Sequence, residues 1–136
     1  RKLKSRKYYW ELVEEIRSLV DSINFGTSLV IVEGQNDEFA LRELGLKIPV
    51  CRFRSLGQSE TLFVEEFSEN YRGRSVVVML DFDEEGTRMA ERITRELEER
   101  GVKVQHYFRR AFKEILLKEG VRHIEEIKAI KQKSFF

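Results

Sequence analysis

The sequence predicts a three-layer α/β/α domain built on a four-stranded parallel sheet. Short runs rich in β-branched residues alternate along its 136 residues with longer segments whose apolar residues recur at helical spacing. Two of the short runs are apolar throughout, as strands buried on both faces are. Both of these runs end in carboxylates, with a glycine and a helix close behind. Strands and helices that alternate in this way form parallel βαβ units with right-handed crossovers.

The predicted strands are bounded by turn residues. The third is apolar along its whole length and the first is apolar after Ser28, whereas the second is weaker and the fourth shows apolar–polar alternation. In chain order they span residues 28–32, 49–53, 76–80 and 102–107.

The predicted helices are recognised by apolar residues three or four positions apart. The helix after the third strand is the clearest, because Met89, Ile93 and Leu97 form an apolar line and acidic residues fill its first turn. Asn36 or Asp37 is a suitable N-cap for the helix after the first strand. In chain order the helices span residues 8–23, 38–44, 59–70, 84–100, 109–118 and 124–130.

The elements divide the chain into three parts. Residues 1–27 hold a helix that packs on the domain, residues 28–108 form the core, and residues 109–136 form a C-terminal helical extension and tail. The basic lead-in, residues 1–7, carries five positive charges and is either a solvated chain end or a phosphate contact.

Composition restricts the class of protein. The chain is long enough for one domain with a substantial core. Its formal net charge of +1 means that contact with nucleic acid has to come from local basic patches. The single cysteine, Cys51, excludes an internal disulfide and a zinc knuckle and is expected to be a small buried hydrophobe. No apolar run is long enough to span a membrane and no signal-peptide pattern opens the sequence, which favours a cytoplasmic protein without a membrane partner.

Asp81 and Asp83, which follow the third strand, are the candidates for a metal site. Residues i and i+2 of a strand lie on the same side, about 7 Å apart. Two carboxylates this close repel each other, and a bound divalent cation is the usual reason for them. Hard oxygen ligands suit Mg²⁺, for which Mn²⁺ is an expected substitute. Glu85 is a third candidate ligand, and Glu33 is a candidate ligand or general acid/base.

The order of the strands in the sheet can be inferred if Glu33 and the two aspartates belong to one site. The first and third strands are then central neighbours, and the order is 2-1-3-4. In open α/β sheets the site lies at the carboxyl ends of the strands, where the order reverses. Arg52 and Arg54 at the end of the second strand, and Arg109 and Arg110 after the fourth, would reach the same edge and could contact nucleic-acid phosphates.

Each of these residues also has an ordinary structural explanation. Glu33 or Asp83 could cap a helix, and Asp37 is expected to be a cap or a supporting residue rather than a ligand. The arginines could pair with the abundant glutamates. His106 and His123 have no partner pattern and are expected to be structural or surface residues.

These motifs resemble the Toprim family, which is shared by primases, topoisomerases, recombination-repair proteins and some nucleases. The resemblance spans residues 28–108. It is carried by the sequence Val-Ile-Val-Glu-Gly at residues 30–34 with Asp37, a Leu-Gly turn at residues 56–57, and Leu-Asp-Phe-Asp-Glu-Glu-Gly at residues 80–86.

The resemblance implies a role for each matching residue. Glu33 would be the general acid/base, and Asp81 and Asp83 would be Mg²⁺ ligands, with Glu85 at the position of a third acid. Gly34 and Gly86 match glycines that let the backbone approach the site. Asp37 and Gly57 would support it.

The chain is most similar to small stand-alone Toprim proteins, which include primase-like proteins and resemble the nuclease that matures 5S ribosomal RNA. The resemblance implies Mg²⁺-dependent, nuclease-type phosphoryl transfer on structured RNA or DNA. The alternative is a non-catalytic, metal-dependent module that binds nucleic acid or a protein partner, with a homodimer as a further option. A haloacid-dehalogenase-type phosphatase is set aside because no aspartate follows Asp83.

Overall fold

The structure of the protein, a computed structural model, describes residues 4–135. Residues 1–3 of the predicted basic lead-in and residue 136 of the predicted tail lie outside the described residues. The strands are β1 (Leu29–Val32), β2 (Val50–Arg52), β3 (Ser75–Val78) and β4 (Lys103–Val104). The helices are α1 (Arg6–Gly26), α2 (Gln35–Glu43), α3 (Glu60–Tyr71), α4 (Glu84–Glu99), α5 (His106–Lys118) and α6 (Ile127–Lys133). Two short 3₁₀ helices, Phe53–Leu56 and Ile124–Glu126, precede α3 and α6.

The four strands form one parallel sheet in the order β2-β1-β3-β4, which confirms the predicted architecture and strand order. Val30 of β1 lies opposite Val50 of β2 on one side and Val77 of β3 on the other. The order reverses between β1 and β3, so the carboxyl ends of these strands face the crevice where α/β proteins bind ligands.

Two hydrophobic cores cover the two faces of the sheet. Because side chains alternate along a strand, Val30 and Val77 point to the face covered by α1, α2, α5 and α6. Ile31 and Val78 point to the opposite face, which α3 and α4 cover. The chain is therefore a three-layer α/β/α domain, and every residue of β1 is buried.

The long helix α1 belongs to the larger core. The Ser5 hydroxyl accepts a hydrogen bond of 3.1 Å from the Tyr8 N–H and caps its first turn. Its fully buried residues recur at spacings of three and four and face α5 and α6; they are Val13, Ile16, Val20 and Ile23. No helix in the described part of the chain combines the length and apolar composition that a membrane span requires.

Several boundaries differ from those predicted. β3 ends at Val78 rather than residue 80, because its partner β1 ends and the last inter-strand bond runs from the Met79 N–H to the Ile31 carbonyl at 2.7 Å. β4 is only two residues long because α5 already begins at His106. Cys51 is half-buried, and burial raises the pKa of its thiol to about 11.

Candidate functional site

Glu33 is the first residue after β1, where the buried strand gives way to α2. Gly34 is the N-cap of α2, and its N–H donates to the Asp37 carboxylate at 3.0 Å. Asp37 is therefore the third residue of α2, and it is almost fully buried. From this position it supports the turn that follows Glu33. Burial raises the pKa of its carboxyl, and the hydrogen bond from Gly34 opposes that effect. The Glu33 carbonyl accepts a bond of 2.9 Å from the Arg54 N–H, which ties the 3₁₀ helix to the end of β1.

The loop after β3, residues 79–83, carries both aspartates and is fixed by Arg109. The Arg109 guanidinium donates to the Leu80 carbonyl at 2.5 Å and to the Asp81 carbonyl at 2.9 Å. It also lies 4.5 Å from the centre of the Phe82 ring. Burial lowers the pKa of Arg109 to about 10. The sequence predicted that Arg109 contacts nucleic acid, but its guanidinium is engaged with the backbone of this loop.

Asp81 is the buried carboxylate of the site, with 9% of its surface exposed. Its Oδ1 accepts a hydrogen bond of 2.9 Å from the Ile124 N–H. Burial raises the pKa of Asp81 to about 6, and the negative charges of Asp37 and Glu33 act in the same direction. The side chain is therefore held in a place where its ionised form is costly unless a cation compensates it.

Asp83 is in a different environment. It is the N-cap of α4, and its Oδ1 accepts a bond of 2.7 Å from the Gly86 N–H, which lowers the pKa of its carboxyl. Its Oδ2 lies 3.2 Å from His123 Nε2. The predicted placement of Asp81 and Asp83 on one side of a strand is wrong, because the strand ends at Val78 and the chain turns between them. The capping role considered for Asp83 is present, and it engages only Oδ1, because Oδ2 lies beside His123.

Gly86 allows α4 to begin directly against the loop. A Cβ at this position would lie 2.4 Å from the Asp81 carbonyl oxygen and 2.9 Å from Asp83 Oδ1, closer than atoms can approach. Around Gly34, by contrast, a Cβ would meet no atom within 4 Å, so the space beside it is open. Gly57 has a positive φ of 63° at the end of the 3₁₀ helix, a conformation that favours glycine.

Arg54 bridges Glu33, which follows β1, and Glu85, which lies in the first turn of α4. Its Nε lies 2.9 Å from Glu33 Oε2, and its terminal nitrogen lies 3.3 Å from Glu85 Oε1. The Glu85 side chain is 67% exposed, whereas Glu33 is largely buried. The hydrogen bond to Glu33 is the largest of several effects that raise the pKa of Arg54, so the guanidinium is a permanent positive charge at the site.

The other two predicted arginines lie apart from the acids. Arg52 Nε bonds Glu38 Oε1 at 2.6 Å, the pairing with glutamate that the sequence left open. Arg110 is exposed on α5, where it lines a cleft between α4 and α5 together with Lys113 and Arg109.

An open cleft of about 460 Å³ lies at the carboxyl edge of β1 and β3. It brings Glu33, Asp37 and Asp81 together with Arg54, whereas Asp83 and Glu85 are not among its lining residues. The full lining is Glu33, Gly34, Gln35, Asn36, Asp37, Arg54, Asp81 and Glu125. The sequence placed Glu125 in a C-terminal extension and assigned His123 no partner. No local signal marks their place at the site, because Asp83, which His123 contacts, is 40 residues away along the chain, and Glu125 shares the cleft with residues that are distant in sequence.

The donor set of the cleft fits a hard divalent cation. Mg²⁺ is held by one or two carboxylates, keeps several waters and accepts phosphate oxygens. Asp81, buried and facing two other acids, is the carboxylate that a cation would stabilise most. Among residues 4–135, no three His, Cys, Asp or Glu side chains are grouped closely enough to hold a metal by themselves.

Comparisons with known proteins agree with this fold. A UPF0292 protein of Thermococcus onnurineus is 31% identical over 120 residues, covering 88% of this chain and 85% of its own. A UPF0292 protein of Methanocaldococcus jannaschii is 28% identical over 130 residues, covering 96% of this chain and 97% of its own. A solved structure, a putative protein from Aquifex aeolicus, shares the fold with a TM-score of 0.59 and 24% identity, covering 85% of this chain and 94% of that one. A family model described as Toprim-like matches residues 30–115, more than half of the sequence, from the second residue of β1 to beyond β4. The chain belongs to the Toprim-like family.

Proposed function

We propose that the protein acts on nucleic-acid phosphodiesters by Mg²⁺-dependent, nuclease-type phosphoryl transfer. Its family links it in general terms to metal-dependent work on nucleic acids. The observation that carries the finer proposal is the cleft at the sheet edge, which holds Glu33 and Asp81 together with Arg54. Carboxylates beside a fixed guanidinium are what a phosphate bridged by a cation requires.

The residues of the cleft and the family resemblance support a role for each residue. Asp81, which lines the cleft, would hold Mg²⁺ together with Asp83 and Glu85, whose roles rest on the resemblance. When bound, the ion would neutralise the charge that develops on the phosphate oxygens. Glu33, at the end of a rigid strand, would take a proton from the attacking group or give one to the leaving oxygen. Arg54 would hold a non-bridging phosphate oxygen, since its terminal nitrogens form a planar fork that matches phosphate.

Substitution of Glu33 distinguishes binding of the nucleic acid from its cleavage. We expect Glu33→Gln to reduce metal-dependent cleavage by about 100-fold or more while binding of the nucleic acid persists, because general acid–base transfer contributes about 10²–10⁴-fold. The assay incubates the full chain with labelled structured RNA, single-stranded DNA and duplex DNA in Mg²⁺, Mn²⁺ or EDTA.

The matched control for this assay is Glu60→Gln. Glu60 is also paired with an arginine, Arg92, at 2.9 Å, but it lies on α3, away from the cleft. Cleavage by the Glu60 variant should equal that of the wild type. Cleavage that persists in EDTA, or that survives Glu33→Gln, would contradict the proposed mechanism.

The second candidate function is a non-catalytic, metal-dependent binding module. The ion pair between Glu33 and Arg54 favours it, because the guanidinium occupies a carboxylate oxygen that a general acid/base needs free. Metal-dependent binding of nucleic acid by the wild type, with no cleavage of any of the three substrates, would support the module instead of the enzyme.

Arg54 gives a further test of the cleft. We expect Arg54→Gln to tighten Mn²⁺ binding several-fold, because it frees Glu33 and removes a positive charge near Asp81. The same change should weaken nucleic-acid binding and reduce its salt slope by about 1, as loss of one phosphate contact does. Calorimetry with Mn²⁺ and binding titrations at several salt concentrations measure the two effects.

Arg92→Gln is the control for Arg54, since Arg92 also pairs with a glutamate but faces α3. It should leave both affinities unchanged. If Arg54→Gln weakens Mn²⁺ binding, Arg54 is not competing with the cation for the cleft.

A further inference from the structure

The segment Arg122 to Glu126, called the C-terminal turn below, contacts the loop that carries the aspartates. It lies beyond residues 30–115, which match the Toprim-like model. The Phe82 N–H donates to the Arg122 carbonyl at 2.6 Å. The backbone of the loop is therefore tied to a part of the chain that the family motif does not include.

The C-terminal turn also contacts the carboxylates themselves. The Ile124 N–H donates to Asp81 Oδ1 at 2.9 Å, and His123 Nε2 lies 3.2 Å from Asp83 Oδ2. Each aspartate thus has one oxygen whose direction is set by this turn. Glu125 lines the same cleft as Asp81.

His123 is held in place from its other side. Its Nδ1 lies 2.7 Å from Glu126 Oε1, and its backbone N–H donates to the same oxygen at 3.2 Å. Each ring nitrogen lies within hydrogen-bond distance of one carboxylate, and in the protonated imidazole each would donate to its neighbour. The imidazole is therefore a fixed bridge between Glu126 and Asp83, and rotation of the Asp83 carboxylate would break it.

Burial also anchors the C-terminal turn. Ile124 and Ile127, the residue that follows the turn, are fully buried in the larger core. The His123 side chain, by contrast, is 44% exposed. A partly exposed side chain that makes two directed bonds to carboxylates contributes orientation more than burial.

We propose that the C-terminal turn is the second half of the acid site, and that His123 is a positioning residue that sets the direction of the Asp83 carboxylate. The proposal depends on the metal site proposed above. Residues that orient metal ligands by hydrogen bonding affect metal affinity by about 10–100-fold when they are replaced.

The experiment measures Mn²⁺ affinity of the full chain by calorimetry at one fixed pH, together with thermal stability in EDTA. We expect His123→Ala to bind Mn²⁺ about 10-fold more weakly while its stability in EDTA changes little. His123→Gln keeps one donor in reach of Asp83 and should recover part of the affinity. His106→Ala is the matched control, because His106 is similarly exposed and bonds one glutamate, Glu98, at 2.8 Å.

The outcomes separate the two proposals. Mn²⁺ binding by His123→Ala that equals or exceeds that of the wild type would overturn the role of His123 and leave the metal site standing. An equal loss of Mn²⁺ affinity in His106→Ala would also overturn the role of His123, because removal of any exposed histidine would then have the same effect. Failure of the wild type to bind Mn²⁺ would refute the proposed function itself.

Discussion

Gly86→Ala is expected to destabilise the fold by about 3 kcal/mol, since overpacking costs about 1–3 kcal/mol and occasionally more. A Cβ at residue 86 would lie 2.4 Å from the Asp81 carbonyl oxygen, which is a backbone atom that cannot move aside alone. The same carbonyl is bound by Arg109, and the Asp81 side chain is bound by Ile124, so relief of the clash has to displace the whole loop. Urea unfolding of the variant and the wild type measures the difference in the free energy of unfolding.

Gly26→Ala is the control for this substitution. Gly26 ends α1, where a Cβ would meet no atom within 4 Å and φ is not positive. The change should be neutral or stabilising by up to about 1 kcal/mol. If Gly86→Ala is as stable as the wild type, α4 does not pack against the loop as described. A stable variant that no longer responds to Mn²⁺ would instead show that the loop has moved.

Asp81→Asn is expected to stabilise the metal-free protein at pH 7.5 by about 2–3 kcal/mol while removing its response to metal. Burial raises the pKa of Asp81 to about 6 in the folded protein, whereas an unfolded aspartate has a pKa of about 3.9. Between these two values the folded state holds a proton that the unfolded state has lost. Stability therefore falls as pH rises through this window, and the full cost of the ionised carboxylate is present above it.

The measurement is the free energy of unfolding in EDTA at pH 4 and pH 7.5. Asparagine has the same shape as aspartate, and its side-chain carbonyl oxygen can still accept a hydrogen bond from the Ile124 N–H. The variant should therefore keep this hydrogen bond and lose the free-energy cost of a buried ionised carboxylate. The difference in the free energy of unfolding between the variant and the wild type should be small at pH 4 and largest at pH 7.5. An Asp81→Asn protein less stable than the wild type at pH 7.5 would show that the ionised form is already compensated without metal.

Asp83→Asn is the control with the opposite sign. The hydrogen bond from the Gly86 N–H lowers the folded pKa of Asp83 below its unfolded value, so its ionised form stabilises the fold. That stability is present above the unfolded pKa and is lost as pH falls through the folded pKa. The two substitutions at neighbouring aspartates should therefore shift stability in opposite directions at pH 7.5.

Addition of metal should make the wild type more stable than Asp81→Asn. A cation that binds only the folded state stabilises it by mass action, by about 2.7 kcal/mol at 100 times its dissociation constant. The wild type should thus gain stability on addition of Mn²⁺, and Asp81→Asn should not. The carboxylate that costs stability in the absence of metal is the one that the proposed function requires.

The sequence contains enough to predict the sheet order because the signals involved are local. Val30 to Val32 and Val76 to Val78 are runs of residues buried on both faces, and a glycine and a helix follow each run. Placing both runs at the centre then gives the order 2-1-3-4, which the structure confirms. Glu33 and Asp81 follow from the same patterns, since each lies just beyond the end of a buried run.

What could not be predicted depends on contacts between distant parts of the chain. Arg109 looks like any exposed helical arginine in the sequence, yet its partners are the carbonyls of Leu80 and Asp81. His123 likewise meets Asp83 only because α6 returns against α1 and brings the preceding turn to the sheet edge. Asp81 and Asp83 lie in different environments because the chain turns after Leu80. The sequence does not predict this turn, because the apolar run that precedes it is typical of a strand continuing to Leu80.

The two outer strands have a consequence for how the molecule behaves in concentrated solution. β2 is three residues long and β4 is two, so each presents only a few backbone groups to a neighbouring chain. Long, flat outer strands are templates on which other chains add further strands and aggregate, and very short ones prevent this. The brevity of β2 and β4 therefore protects this open sheet against intermolecular strand pairing, although its two central strands are among the most apolar segments of the sequence.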